Sequence, residues 1–279
     1  MTLNSLCMNN IIFVLLGLIL FCSCKNKPNY HYVEIKNRQQ HVLTWGEGEP
    51  IVVFLCGGGS DLKDFNEVQR EISKIAKTIS YDKFGLGKSE LTDSPRSLEN
   101  VSDELKELLE KEGIINVPII LVGHSMGGYV ARFYLHRYPK NITGLVLIDP
   151  GSEYLNEEYK KLQTEKEIKT EDSLLAEQIK LIPKGFRMEV DAYPLHDSIL
   201  RTLPFKTEIP ITLLESNQVD KNDSSQIKII QIQKRLYRDL KKQVPQIKII
   251  STEKSGHFIQ VDEPHLVIDA IEEMLVKIK

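Results

Sequence analysis

A serine hydroxyl is a weak nucleophile until a neighbouring base takes its proton, so a reactive serine is recognised by its surroundings. Residues 123–128 read Gly-His-Ser-Met-Gly-Gly, between an apolar run at 117–122 and a helix-like segment at 129–135. A Gly-x-Ser-x-Gly between a buried strand and a helix reads as a nucleophile elbow, a turn so tight that its flanking positions must be nearly free of side chain. Such a turn would expose Ser125 Oγ on a strained backbone with a helix N-terminus beneath it. The bland alternative is a glycine-rich turn with an unreactive serine, and the strand and helix on either side count against it.

A base for Ser125 is present at His257, in the loop Ser-Gly-His-Phe-Ile-Gln at 255–260 that follows the last expected strand. A lone loop histidine is usually structural or solvated; one placed after an elbow of this kind reads as the general base. The base in turn needs a carboxylate to hold its tautomer and stabilise its charged form. Two aspartates compete for that place. Asp220 follows the strand-like run 211–214 through a short polar loop and is the preferred candidate, although an aspartate there could be ordinary turn chemistry. Asp149 ends the run 145–148 directly before Pro150, where its plain reading is a turn or helix-capping residue.

Acyl chemistry also needs backbone donors aimed at the developing oxyanion. The apolar run 51–55 enters Cys-Gly-Gly-Gly-Ser at 56–60, so the Gly58 N–H can approach closely, and the Met126 N–H at the start of the elbow helix supplies a second donor. A phosphate loop would require Gly-Lys-Ser/Thr after the glycines, and Asp61-Leu62-Lys63 does not provide it. Cys56 beside this loop reads either as a reactive thiol or, as is commoner, as a small interior hydrophobe.

The elements that must carry these residues alternate. Segments 30–35 and 41–45 read as an antiparallel pair joined by a polar turn. Runs at 51–55, 78–81, 119–122, 145–148, 211–214 and 247–250 are short and apolar, separated by helical spacing at 65–76, 97–112, 227–242 and 264–277. This alternation predicts βαβ units and a mostly parallel sheet of eight strands with helices on both faces. Residues 151–208 are rich in Lys and Glu, contain no convincing strand, and read as a helical lid inserted into a core of 30–150 and 209–279. Phe186, Met188, Tyr193 and Leu195 are candidate substrate-lining residues of that lid, or equally its own small core.

Taken together, the elbow, the turn Tyr81-Asp82-Lys83-Phe84-Gly85-Leu86-Gly87-Lys88-Ser89 and the segment Gly256-His257-Phe258-Ile259-Gln260-Val261-Asp262-Glu263-Pro264 resemble the α/β-hydrolase superfamily over everything after residue 29. The resemblance implies the α/β-hydrolase fold and the chain order serine, acid, histidine, with no cofactor or metal. It departs at Cys56, where the family commonly has His, and at Asp220, about one residue later than usual, which keeps Asp149 in play. A serine at the elbow argues against the relatives that use aspartate there for dehalogenase or epoxide-hydrolase chemistry. The expected activity is cleavage of a carboxylic ester or related small acyl substrate. An amidase, thioesterase or C–C hydrolase would use the same residues, and a catalytically silent surface binding module is the contrasting class.

The address of the chain is written at its start. Residues 1–24 hold no charged residue, and 11–22 form an apolar run too short to span a bilayer comfortably. The run ends Phe-Cys-Ser-Cys before the polar Lys25-Asn26-Lys27-Pro28. This resembles a bacterial lipoprotein signal over 1–23, with Cys24 lipidated and 24–29 as a tether, although Phe21 and the uncharged N-terminus depart from that pattern. Export to the cell envelope with membrane attachment is expected, with a secreted or periplasmic form as the alternative. Removal of the signal and acylation of Cys24 would leave only Cys56, so no internal disulfide is expected. A net charge of −3 from 36 basic and 39 acidic residues provides no basic face for nucleic acid.

Overall fold

In strand β3 (Ile51–Leu55) every side chain is buried, and alternate residues enter different cores. Val53 and Leu55 face the cluster containing Leu105, Leu108, Tyr129 and Val130. Val52 and Phe54 face the cluster containing Phe65, Val68, Ile271 and Met274. Each such side chain withdrawn from water contributes roughly 1.5–3 kcal/mol. That two-sided demand is why the strand shows no polar alternation in sequence.

The computed structural model describes residues 27–278, and the expectations for the signal segment, Cys24 and the first half of the tether lie outside them. The other strands are β1 (Asn29–Ile35), β2 (Arg38–Trp45), β4 (Thr78–Tyr81), β5 (Ile119–His124), β6 (Ile142–Ile148), β7 (Ile211–Ser216) and β8 (Ile247–Thr252). They form one eight-stranded sheet in the order β1-β2-β4-β3-β5-β6-β7-β8. The β1–β2 and β2–β4 pairs are antiparallel and the remaining pairs parallel. The first hairpin is tighter than the sequence suggested. Lys36 and Asn37 both take positive φ, as a two-residue hairpin turn that follows strand twist requires, so β2 begins at Arg38 rather than His41.

Helices α1 (Asn66–Ile72) and α9 (Pro264–Ile278) cover one face of the sheet. Helices α2 (Leu98–Lys111) and α3 (Met126–Arg137) cover the other. Ser97 caps α2 by accepting from the Asn100 N–H, and Leu98, Val101, Leu105, Leu108 and Leu109 form its buried stripe. Between β6 and β7 lie α4 (Leu155–Lys160), α5 (Glu165–Leu181) and α6 (Lys184–Thr202), with no strand among them. Helix α5 buries no side chain, whereas α6 buries Gly185, Glu189, His196 and Leu200 on one side. Helix α7 (Ser224–Gln243) precedes β8, and the short α8 (Ile259–Asp262) precedes α9. None of the described helices is long and apolar enough to cross a membrane.

Candidate active site

At the end of β5 the chain turns so sharply that Ser125 adopts φ 51°, ψ −117°, a conformation costly for any residue with a Cβ. Only glycine fits around it. A Cβ on Gly127 would lie 2.0 Å from the Leu55 carbonyl oxygen, and one on Gly123 would lie 2.5 Å from the Gly127 oxygen. The turn is tied to the neighbouring strand: Ser125 N–H donates to the Ile148 carbonyl at 3.0 Å, and Gly151 N–H donates to the Ser125 carbonyl at 3.2 Å. Met126 is the first residue of α3, and the first N–H groups of a helix have no intrahelical acceptor.

Asp149 directly follows Ile148. Its N–H extends the β6–β7 ladder by donating to the Leu214 carbonyl, and its φ of 38° then breaks the strand. Its side chain is 5% exposed as a residue, with Oδ1 accepting from the Ser216 N–H at 3.2 Å and from the Gln233 amide at 3.3 Å. The other carboxylate oxygen meets His257 Nδ1 at 2.7 Å. Tyr237, under the same corner, donates to the Pro150 carbonyl at 2.6 Å.

The preference for Asp220 as the partner of His257 is therefore corrected in geometric terms. Asp220 lines the same open groove as Asp149 and His257, but it is exposed and its Oδ1 accepts from Asn222 N–H at 2.9 Å within its own turn. Asp223, nearby, caps α7. The polar loop after β7 is occupied with local turn chemistry, whereas Asp149 is fixed at both its backbone and its side chain beside the histidine.

His257 is held from behind. Ser216 Oγ donates to the Ser255 carbonyl at 2.7 Å, and Ser255 Oγ donates to Glu263 at 2.9 Å. His124, the residue before the serine, donates from Nε2 to the His257 carbonyl at 2.9 Å. Because that ring nitrogen faces a carbonyl, it carries the proton and Nδ1 is left as a buried acceptor without a partner. Burial, with the charge of His257 adding to it, pushes the His124 pKa down to about 3, so the ring is neutral. Sequence reasoning passed over His124 because the middle residue before an elbow serine is unconstrained by the motif.

The loop after β3 forms a turn in which Gly59 has φ 71° and Ser60 N–H reaches back to the Gly57 carbonyl at 3.4 Å. Gly58 N–H donates to no backbone carbonyl among the described residues. Helix α6 covers this loop. The Phe186 ring lies 2.9 Å from where a Gly59 Cβ would be, and the Tyr193 hydroxyl lies 3.1 Å from the equivalent point on Gly58. Burial pushes the Tyr193 phenol up to about 12, so it remains protonated. Of the four lining candidates, Phe186 and Tyr193 stand over the loop. Leu195 is exposed, because two residues beyond Tyr193 the helix has turned its side chain away, and half-buried Met188 lies off the stripe formed by residues 186, 189, 193 and 196.

Two further groups on either side of this loop were not singled out from sequence. Lys83 lies in the turn after β4, and Glu189 is on α6; their side chains form an ion pair at 2.6 Å with almost no solvent exposure. A Glu falling on the same helical stripe as Phe186, Tyr193 and His196 is the signal that could have marked it. Cys56, beside them, is buried with its thiol pKa pushed up by burial, and its Sγ contacts the Asp61 carbonyl. No cluster of metal-ligating residues occurs among the described residues.

Comparison with known proteins agrees with this fold. The family described as the alpha/beta hydrolase fold matches residues 50–179, from β3 through most of α5. A protein of Hormonema carpetanum named as a probable transporter, efuK, is 33% identical over 111 residues, covering 38% of this chain and 16% of that one. The (lyso)-N-acylphosphatidylethanolamine lipase of Bos taurus is 32% identical over 102 residues, covering 36% of this chain and 29% of the lipase. The chain thus spans well under half the length of these curated relatives. The solved structure of the epoxide hydrolase CorEH superimposes with a TM-score of 0.65 at 16% identity, over 91% of this chain and all of that one, which is a likeness of fold. Eight strands in this order, an elbow at the end of β5 and a family match across the elbow lead to one assignment: the chain has the α/β-hydrolase fold.

Proposed function

We propose that the protein is a serine hydrolase that cleaves a carboxylic ester or related acyl compound through an acyl-enzyme intermediate. The observation that carries this reading is the 2.7 Å hydrogen bond between His257 and buried Asp149 beside a strained, elbow-borne Ser125. In this reading Ser125 Oγ attacks the acyl carbon while His257 Nε2 takes its proton. Asp149, on Nδ1, holds the tautomer in which Nε2 is free to accept. The Gly58 and Met126 N–H groups receive the oxyanion of the tetrahedral intermediate. His257 then returns the proton to the leaving group, and a water activated by the same ring releases the acid.

A serine at the elbow favours acyl transfer over epoxide opening, which in this fold begins with an aspartate. Phe186 and Tyr193 support a role for α6 in lining the acyl site. The test is labelling with a fluorophosphonate probe alongside hydrolysis of p-nitrophenyl esters of graded chain length. Labelling that disappears in Ser125→Ala, with turnover of at least one ester, is expected. Turnover that survives in Ser125→Ala would overturn the assignment.

A further inference from the structure

Lys83 Nζ donates to the Gly57 carbonyl at 2.7 Å, and Glu189 Oε2 accepts from the Gly59 N–H at 2.9 Å. The same two side chains pair with each other through Glu189 Oε1. They therefore grip two successive peptide groups, the one between Gly57 and Gly58 and the one between Gly58 and Gly59. A peptide group is planar and trans, so the carbonyl of Gly57 and the N–H of Gly58 point in opposite directions. Fixing the Gly57 oxygen against an ammonium group fixes the direction of the Gly58 N–H. It also polarises that peptide, which strengthens its N–H as a donor.

We propose that Lys83 and Glu189 are positioning residues for the oxyanion loop, so that helix α6 completes the oxyanion site from above while the turn after β4 completes it from below. The proposal rests on the serine-hydrolase reading and deepens it. Both halves of the clamp are themselves anchored. The turn carrying Lys83 is organised by Asp82, which accepts from Leu62 N–H at 2.9 Å and Lys88 N–H at 2.8 Å. Helix α6 is fixed seven residues beyond Glu189, where His196 Nε2 meets the Arg96 carbonyl at 2.8 Å. A three-glycine loop has no side chains of its own to set its conformation, and a buried ion pair with both ends spent on its backbone supplies what it lacks.

The experiment uses Glu189→Gln, which preserves volume and an acceptor for Gly59 N–H, and the double variant Lys83→Met with Glu189→Met, which removes the pair without leaving a lone buried charge. On a p-nitrophenyl ester cleaved by the wild type, kcat of the folded double variant should fall about 10- to 100-fold with little change in KM, less than the roughly 100- to 1,000-fold cost of deleting an oxyanion donor. Affinity for octyl trifluoromethyl ketone, which forms an oxyanion on Ser125, should fall in parallel, while affinity for octyl methyl ketone stays the same. Glu189→Gln should fall between the wild type and the double variant. A folded double variant with kcat within about twofold of wild type, or one changed in KM alone, would overturn the clamp. In the unmodified protein the Gly59 amide should be protected from hydrogen exchange, and free exchange would equally overturn it. Fluorophosphonate labelling of Ser125 in the same samples reports separately on the serine-hydrolase reading.

Discussion

His257 Nδ1 meets Asp149 Oδ2 at 2.7 Å, joining the loop after β8 to the residue that ends β6. The carboxylate comes from the strand beside the elbow, two positions earlier in the sheet order than the strand that bears the histidine loop. Since Ile148 also accepts the Ser125 N–H, one short stretch of chain supports both the serine and the carboxylate. Replacing Asp149 with Asn should lower kcat by about 100- to 10,000-fold by favouring the wrong imidazole tautomer, while leaving KM near its original value. Asp220→Asn should change kcat by less than about threefold, since its carboxylate serves its own turn. Steady-state kinetics on one ester decides between them, and the reverse ranking would return the role to Asp220.

Ser125→Ala and His257→Ala should each abolish ester turnover and leave the thermal unfolding midpoint within a few degrees of wild type. The serine contributes a hydroxyl and little packing, and the His257 side chain is 46% exposed. Calorimetry paired with the kinetic assay checks both halves of this expectation.

Acid should destabilise the fold earlier than carboxylate titration alone would. Burial first, and the charge of His257 second, hold His124 at about 3, and burial likewise lowers His196. An unfolded histidine titrates near 6.5, so below about that pH the unfolded chain binds protons that the native state refuses, and stability falls by up to roughly 1.4 kcal/mol per pH unit for each such group. Loss should therefore set in as pH drops below about 6.5, before the carboxylates begin to protonate. His124→Asn, which retains a donor for the His257 carbonyl, should flatten urea-unfolding stability between about pH 6.5 and 5. An unchanged slope would show that His124 is not the source.

Location is testable independently of activity. In a bacterial host the mature chain should begin at Cys24 and partition with membranes, since durable anchorage needs more than one acyl chain. Cys24→Ser should block processing or release the protein. Mass spectrometry that finds an unmodified N-terminus at another position would reject lipidation and leave export open.

The strands, the elbow and the histidine-bearing loop were legible because their signals are local. An apolar run, a glycine spacing or a histidine after a strand can be read within ten residues. The choice between Asp149 and Asp220 was not legible, because it depends on which corner of the sheet turns toward His257 and which carboxylate is already satisfied. Asp220 looked free in sequence and is engaged by Asn222; Asp149 looked like a turn residue and is desolvated beside the histidine. Lys83 and Glu189 were hidden for the same reason, since a charged residue gives no sign of the backbone groups it will meet, 26 positions away for Lys83 and 130 for Glu189.

The contact between Gly85 and Gly185 bears on how such insertions are exchanged. A Cβ on Gly185 would come within 2.0 Å of the Gly85 carbonyl oxygen, so the turn after β4 and the start of α6 touch main chain to main chain. An insertion of this kind is not a detachable module. A chimera that imports a foreign segment between β6 and β7 to change selectivity would inherit a seat cut for two glycines. It would have to carry the β4 turn with it, so the smallest unit that can be transplanted is a pair of segments distant in sequence.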